Sequence, residues 1–105
     1  MDSVKELNSK NFDAFIKSKY NVVEFGADWC NPCKIFEPIF HEVAKQMKDV
    51  KFGSIDVDKD NEIAQRFGVL SVPTIIFFRQ GEQIDVDVGV ISKEEFIKKI
   101  KENSK

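Results

Sequence analysis

The chain has 105 residues, of which 42% are hydrophobic and 32% are charged, proportions that are ordinary for one globular domain. Sixteen basic residues against eighteen acidic ones leave a net charge of −2, which argues against a general nucleic-acid binder. No apolar run approaches the roughly 20 residues of a membrane-spanning helix, and residues 1–6 lack the basic start and apolar run of a signal peptide. We therefore expect one domain over residues 1–105, acting as a monomer without nucleic acid or a membrane as partner.

The hydrophobic pattern predicts alternating strands and helices that end in a hairpin and a closing helix. In chain order the predicted elements are a strand at residues 4–7, a helix around 12–16 with Asn8 and Ser9 offering a cap, a strand at 22–25, a helix at about 33–47, a strand at 50–57, a helix around 62–67, strands at 74–78 and 83–88, and a helix opened by the capping box of Ser92 and Glu95. This order predicts an α/β fold with a central mixed sheet and helices on both faces.

Three local features refine these elements. Pro38 should kink the long helix, because proline lacks an N–H and clashes with the preceding turn. Gly53 suggests a bulge in the strand at 50–57. In the strand at 83–88, Asp85 and Asp87 alternate with apolar residues, which predicts one face in water.

The only two cysteines, Cys30 and Cys33, stand between a predicted buried strand and the long helix. Cysteines at i and i+3 in a first helical turn bring their Cα atoms to about 5–6 Å, which is within disulfide range. Cys30 would lie at the helix N-terminus, where the dipole and unpaired N–H groups favour a thiolate. Pro32 suits a first helical position. The pattern predicts an accessible, nucleophilic Cys30 and a more sheltered Cys33.

A metal site or a structural disulfide explains this pair less well. Zinc normally takes four ligands, yet there is no second cysteine pair, and the only histidine, His41, lies over two turns beyond Cys33. A zinc or iron–sulfur site shared between two subunits is the remaining metal alternative. A structural disulfide that closes so short a loop stabilises little. The spacing favours a dithiol/disulfide redox pair, and we expect no metal and no organic cofactor.

An acidic run follows the strand predicted at 50–57. Asp56, Asp58 and Asp60 imitate the start of a calcium-binding EF-hand loop. Asn61 replaces the turn glycine and Phe67 the closing glutamate of that loop, so we expect a solvated acidic turn instead.

With these residues in view, the sequence resembles the thioredoxin family over almost its whole length. The matching pieces are residues 22–34 with the motif Trp-Cys-Asn-Pro-Cys-Lys, Pro38, residues 55–58, the Val-Pro-Thr of residues 72–74, Gly81 and Gly89. The resemblance implies a thioredoxin-like fold and thiol–disulfide exchange on protein substrates.

The resemblance also implies a role for each matching residue. Cys30 looks like the attacking nucleophile, Cys33 like the resolving thiol, and Pro73 like the family's cis-proline that faces the disulfide. The residues that would tune the reduction potential are Asn31, Pro32 and Lys34. The residues that match the apolar rim where substrates dock are Trp29, Val57, Val72, Val88 and Gly89. Ordinary strand or loop packing is the alternative interpretation of the three valines.

Four positions depart from the family pattern. Asn31 stands where glycine is usual, and Gly26 replaces an aromatic residue. Glu24 stands where many members carry a buried aspartate; a carboxyl in an apolar strand should have a raised pKa and could relay the resolving thiol's proton. A Glu24 that points out of a strand edge is the alternative. Ser54 stands where a lysine often partners this acid, and the loss of that lysine's positive charge should raise the pKa of Glu24 further.

Together these features predict a cytoplasmic protein-disulfide reductase, an electron carrier that works through a mixed disulfide. Its partners would be disulfide-containing proteins and a thioredoxin reductase of unidentified type. A disulfide isomerase or oxidant, a glutaredoxin-like protein, and a non-redox binding module on the same fold remain the alternatives.

Overall fold

The structure is a computed structural model that describes residues 3–104; residues 1, 2 and 105, at the ends of the expected domain, lie outside it. Five strands and four helices follow one another in the predicted order. They are β1 (Val4–Glu6), α1 (Phe12–Ile16), β2 (Asn21–Gly26), α2 (Asn31–Gln46), β3 (Lys51–Asp56), α3 (Asn61–Arg66), β4 (Thr74–Arg79), β5 (Glu82–Val88) and α4 (Lys93–Glu102). No helix among the described residues is long and apolar enough to cross a membrane.

The strands form one mixed sheet in the order β1-β3-β2-β4-β5. β3 runs parallel to both β1 and β2, whereas β4 runs antiparallel to β2 and β5 antiparallel to β4. The predicted α/β fold with a mixed sheet is therefore confirmed. β2 lies at the centre of the sheet, so the loop that leaves its carboxyl end is held by neighbours on both sides.

An apolar core lies on each face of the sheet, and the ten phenylalanines divide equally between the two. The first core packs α2 and α4 on the sheet, and its phenylalanines are Phe36, Phe40, Phe52, Phe77 and Phe96. The second core packs α1 and α3 on the other face, and its phenylalanines are Phe12, Phe15, Phe25, Phe67 and Phe78. Because side chains alternate along β2, Val22 enters the first core while Val23 enters the second.

The expected bulge at Gly53 is wrong. Gly53 pairs in regular register with Lys5 of β1 and Val23 of β2. A Cβ atom at this position would lie 2.7 Å from Cδ1 of Leu7 and 3.0 Å from the ring of Phe15. Glycine is needed here because the Leu7 and Phe15 side chains approach the β3 backbone closely, which is the other common reason for glycine inside a strand.

The bulge lies instead in the β4–β5 pairing, and it reverses the expected faces of β5. Phe77 pairs with Asp85 while Phe78 pairs with Gln83, so Ile84 is the extra residue. One extra residue turns all later side chains to the opposite face. Asp85 and Asp87 therefore face α4, where each lies 3.0 Å from Nζ of Lys99. Beyond the bulge, the face of β5 exposed to water carries Val86 and Val88.

The predicted N-terminal cap is present in α4 but not in α1. Ser92 caps α4 as predicted, because its side chain accepts the N–H of Glu95 at 3.1 Å. Asn11, not Asn8 or Ser9, is the N-cap of α1, and its side chain caps no helical N–H. Asn8 instead stabilises the preceding turn, since its Oδ1 accepts the N–H of Lys10 at 2.8 Å.

Candidate active site

The two cysteines form a disulfide between β2 and α2, with their Cα atoms 5.2 Å apart. Cys30 is the N-cap of α2, and its Sγ accepts the N–H of Cys33 at 3.1 Å. Asn31 and Pro32 fill the first turn, so α2 begins two residues before the expected Cys33. This places the Cys30 sulfur at the positive end of the helix dipole, where a thiolate is stabilised.

Both half-cystines are buried in the disulfide form, Cys30 at 3% exposure and Cys33 at 4%. The expectation that Cys30 is the more accessible of the two is therefore wrong for this form. The Cys30 sulfur is covered by the segment before β4, because it lies 3.6 Å from the carbonyl oxygen of Val72.

The segment before β4 and the segment after β5 meet beside the disulfide, at the open end of the β4–β5 hairpin. The peptide bond between Val72 and Pro73 is cis, and Pro73 is buried. The N–H of Gly89 donates to the carbonyl oxygen of Pro73 at 2.8 Å. Gly89 has φ of +96°, a conformation that side-chain-bearing residues rarely adopt. The structure thus brings Val72, Pro73 and Gly89 together next to Cys30.

The expected apolar rim is present only in part. Trp29 and Val88 are 67% and 65% exposed, and Val72 is half-buried. Val57 packs against the second core, which agrees with the packing interpretation of this valine. Sequence reasoning missed Leu70, which is 98% exposed two residues before Val72. An apolar residue in the loop just ahead of the Val-Pro-Thr motif was the signal available for it.

Asp58 is a second residue that sequence reasoning missed. Its Oδ2 accepts the indole N–H of Trp29 at 2.7 Å, which fixes the ring that precedes the cysteines. Its backbone N–H donates to Oδ1 of Asp56 at 2.8 Å, so the acidic turn after β3 is a hydrogen-bonded support for Trp29. The alternation of aspartates at 56, 58 and 60 was the visible signal.

Glu24 is buried on central strand β2 at 5% exposure, so the strand-edge alternative is wrong. Its backbone pairs with Ser54 and Ile75 in the sheet, but its side chain makes no hydrogen bond to any residue in the described range 3–104. Burial, and after it the negative charge of Glu37, raises the pKa of Glu24 to about 7. Ser54 is its direct partner in the β2–β3 register, the position where the resemblance expects a lysine.

Glu24 and Cys33 line one open cleft of about 770 Å³ beneath the disulfide. Gly26 lines the same cleft, and a Cβ atom there would lie 3.4 Å from Sγ of Cys33. Because Gly26 has no side chain, this side of the Cys33 sulfur faces the cleft. Lys34 is exposed and also lines the cleft, so a cation stands near the cysteines without an ion pair to Glu24 in the described part of the chain.

No group of three or more histidine, cysteine or carboxylate side chains within residues 3–104 is placed to hold a metal ion. Both cysteines are engaged in the disulfide. His41 lies on α2 against the ring of Phe40, with centroids 6.5 Å apart.

Comparison with known proteins agrees with this geometry. The thioredoxin family model matches residues 3–102. The chain belongs to the thioredoxin family. A thioredoxin of Mycoplasmoides gallisepticum is 45% identical over 89 residues, covering 84% of this chain and 89% of the relative. A thioredoxin of Chlamydia caviae is 33% identical over 101 residues, covering 96% of this chain and 99% of the relative.

The solved structures agree with the sequence relatives. The crystal structure of Malassezia sympodialis thioredoxin superposes with a TM-score of 0.88 at 30% identity, covering 100% of this chain and 94% of that chain. The chain is accordingly a thiol–disulfide oxidoreductase of the protein-disulfide reductase type. Thioredoxins act on disulfide substrates and receive electrons from thioredoxin reductase.

Proposed function

We propose that Cys30 and Cys33 carry the reduction of protein disulfides in two steps. The Cys30 thiolate attacks a substrate sulfur, which forms a mixed disulfide and releases the other substrate sulfur as a thiolate. The Cys33 thiolate then attacks Sγ of Cys30, forms the Cys30–Cys33 disulfide and releases the second substrate thiolate. The observation that carries this proposal is the disulfide at the N-terminus of α2, with Cys30 as the N-cap.

Glu24 is proposed to take the proton of the Cys33 thiol before the second step. Two observations support this role: Glu24 lines the same cleft as Cys33, and its side chain has no hydrogen-bond partner within residues 3–104. A pKa raised to about 7 by burial gives this carboxyl an affinity for protons near neutral pH.

Substrate binding is proposed for the surface around the cis-proline. Trp29, Val72 and Val88 supply apolar contact there, and Gly89 and Pro73 supply backbone close to Cys30. Val57 packs against the second core, so we propose that it supports this surface by its packing. Asn31, Pro32 and Lys34 adjoin the cysteines and are proposed to tune their reduction potential.

A pair of serine variants tests these roles. We expect Cys30→Ser to lower the reduction of insulin by dithiothreitol to the rate without protein, because the attacking sulfur is gone. We expect Cys33→Ser to trap the substrate as a mixed disulfide on Cys30, visible on a non-reducing gel. Insulin reduction at the wild-type rate by Cys30→Ser would refute the proposal.

The chain is further proposed to work as one domain in the cytoplasm, with a thioredoxin reductase as its electron source. Both cysteines of the chain belong to the redox pair, so it has no cysteine left for a structural disulfide. Rapid acid quenching and thiol alkylation of intact cells should find the pair mostly reduced. A mostly oxidised pair would favour an oxidant or isomerase role.

A further inference from the structure

We infer that Glu37, which lines the cleft of Cys33 and Glu24 from α2, is a positioning residue for the resolving step and that its negative charge there slows the attack of Cys33 at acidic pH. This inference rests on the proposed role of Glu24 as the proton acceptor. It assigns a function to an exposed side chain of α2 that lies outside the cysteine motif.

The geometry places Glu37 on the same side of α2 as the resolving cysteine. Glu37 follows Cys33 by four residues in the helix, and residues at this spacing share one helix face. Both residues line the cleft into which Glu24 faces from β2. Glu37 is exposed whereas Glu24 is buried, and the two side chains line this cleft from α2 and from β2.

The remaining charges around the cleft do not neutralise Glu24. Carboxyl groups line it from β1, from the loop after β2, and from β3 and the loop after it; these are Glu6, Asp28, Asp56 and Asp60. Its two cations are Lys34 and Lys59, and neither forms an ion pair with Glu24 in the described part of the chain. Ser54, the register partner of Glu24, carries no charge.

Among these charged groups, Glu37 is the one whose charge adds to burial in raising the pKa of Glu24. In the resolving step the Glu24 carboxylate takes the Cys33 proton, and the Cys33 thiolate displaces substrate thiolate from Cys30. Glu37 makes the Glu24 carboxylate scarcer below neutral pH but more basic once it forms. The rate of the resolving step should therefore increase at a higher pH in the wild type than in a variant without the charge of Glu37.

A series at one position tests this inference. Glu37→Gln removes the charge, Glu37→Lys reverses it, and Glu37→Asp retains it. Glu82→Gln is the matched control, because Glu82 is also exposed but lies at the start of β5 and does not line the cleft. The pKa of Glu24 is followed in each oxidised protein by carboxyl ¹³C NMR, with the signal assigned by its absence in Glu24→Gln.

The resolving rate is measured by stopped flow after mixing reduced protein with one equivalent of dithiobis(nitrobenzoate). Release of the second thionitrobenzoate reports the attack of Cys33 on the Cys30 mixed disulfide. At pH 6 we expect Glu37→Gln to speed this release about threefold, the size of one partly screened charge interaction. Glu37→Lys should speed it more, while Glu37→Asp and Glu82→Gln should stay near wild type.

Two results would overturn the inference. One is a Glu24 titration that stays the same across the Glu37 series, which would show that the two carboxyls do not interact. The other is a shifted Glu24 titration with an unchanged pH profile of release, which would show that Glu37 does not act on the resolving step. In either case the reductase function is judged separately, by insulin reduction with Cys30→Ser.

Discussion

Glu24 should make the protein less stable as pH rises, and Glu24→Gln should remove this loss. The folded chain holds the proton of Glu24 more tightly than the unfolded chain, with a pKa of about 7 against the ordinary 4.5. At 1.36 kcal/mol for each pKa unit, this difference corresponds to about 3 kcal/mol. The contribution of Glu24 to stability is fully present below about pH 4.5 and is lost as pH rises through 7, because the buried carboxyl must then carry a charge.

Urea unfolding of the oxidised protein at several pH values between 4 and 8 measures this effect. The free energy of unfolding of Glu24→Gln minus that of the wild type should grow by about 3 kcal/mol over this range. Glu82→Gln should show no comparable growth, because its carboxyl is exposed. A difference that stays constant, or that shrinks as pH rises, would refute the assignment of Glu24 as a buried acid with a raised pKa.

Three further predictions concern the stability of the fold and the reduction potential of the cysteine pair. Gly53→Ala should lower the free energy of unfolding by about 1–3 kcal/mol in urea, because the new methyl would collide with Leu7; a neutral result would show that Leu7 moves freely. Lys99→Met should cost about 1 kcal/mol at pH 7, because it leaves the two aspartates of β5 without a cation, and this cost should vanish at pH 2; a cost that persists there would be a packing effect. Equilibration with thiol/disulfide buffers should give Cys30–Cys33 a potential near −270 mV, the value typical of thioredoxin; about −200 mV would favour a glutaredoxin-like or isomerase role.

The element order and the position of the cysteines could be predicted because both depend on local sequence. The apolar stripe of α2 and the proline after Cys30 act within one helix and its cap. The faces of β5 could not be predicted, because the alternation of Asp85 and Asp87 with apolar residues is compatible with either face. The bulge at Ile84 decides between them, and it arises from pairing with β4 rather than from the residues of β5 alone.

Residues of the rim around the disulfide could be predicted where they belong to a sequence motif, and could not be predicted where they do not. Trp29 and Pro73 belong to recognisable motifs, and the structure places both beside the cysteine pair. Asp58 has no motif of its own, and its contact with Trp29 depends on how the loops after β2 and β3 lie together. Exposure of Leu70 likewise depends on the path of a loop, which hydrophobicity alone does not reveal.

The electrostatics of the cleft depend most on contacts between distant parts of the chain. Glu24, Ser54 and Glu37 lie on three different elements, and only sheet register and the packing of α2 make them neighbours. Serine at 54 removes an expected cation, while glutamate at 37 adds a negative charge to the lining of the cleft. Either change would still allow an ionised Glu24 if a cation formed an ion pair with it. No ion pair of Glu24 is present within residues 3–104. Both changes therefore act in the same direction, and they favour a protonated Glu24 in the cleft that Cys33 also lines.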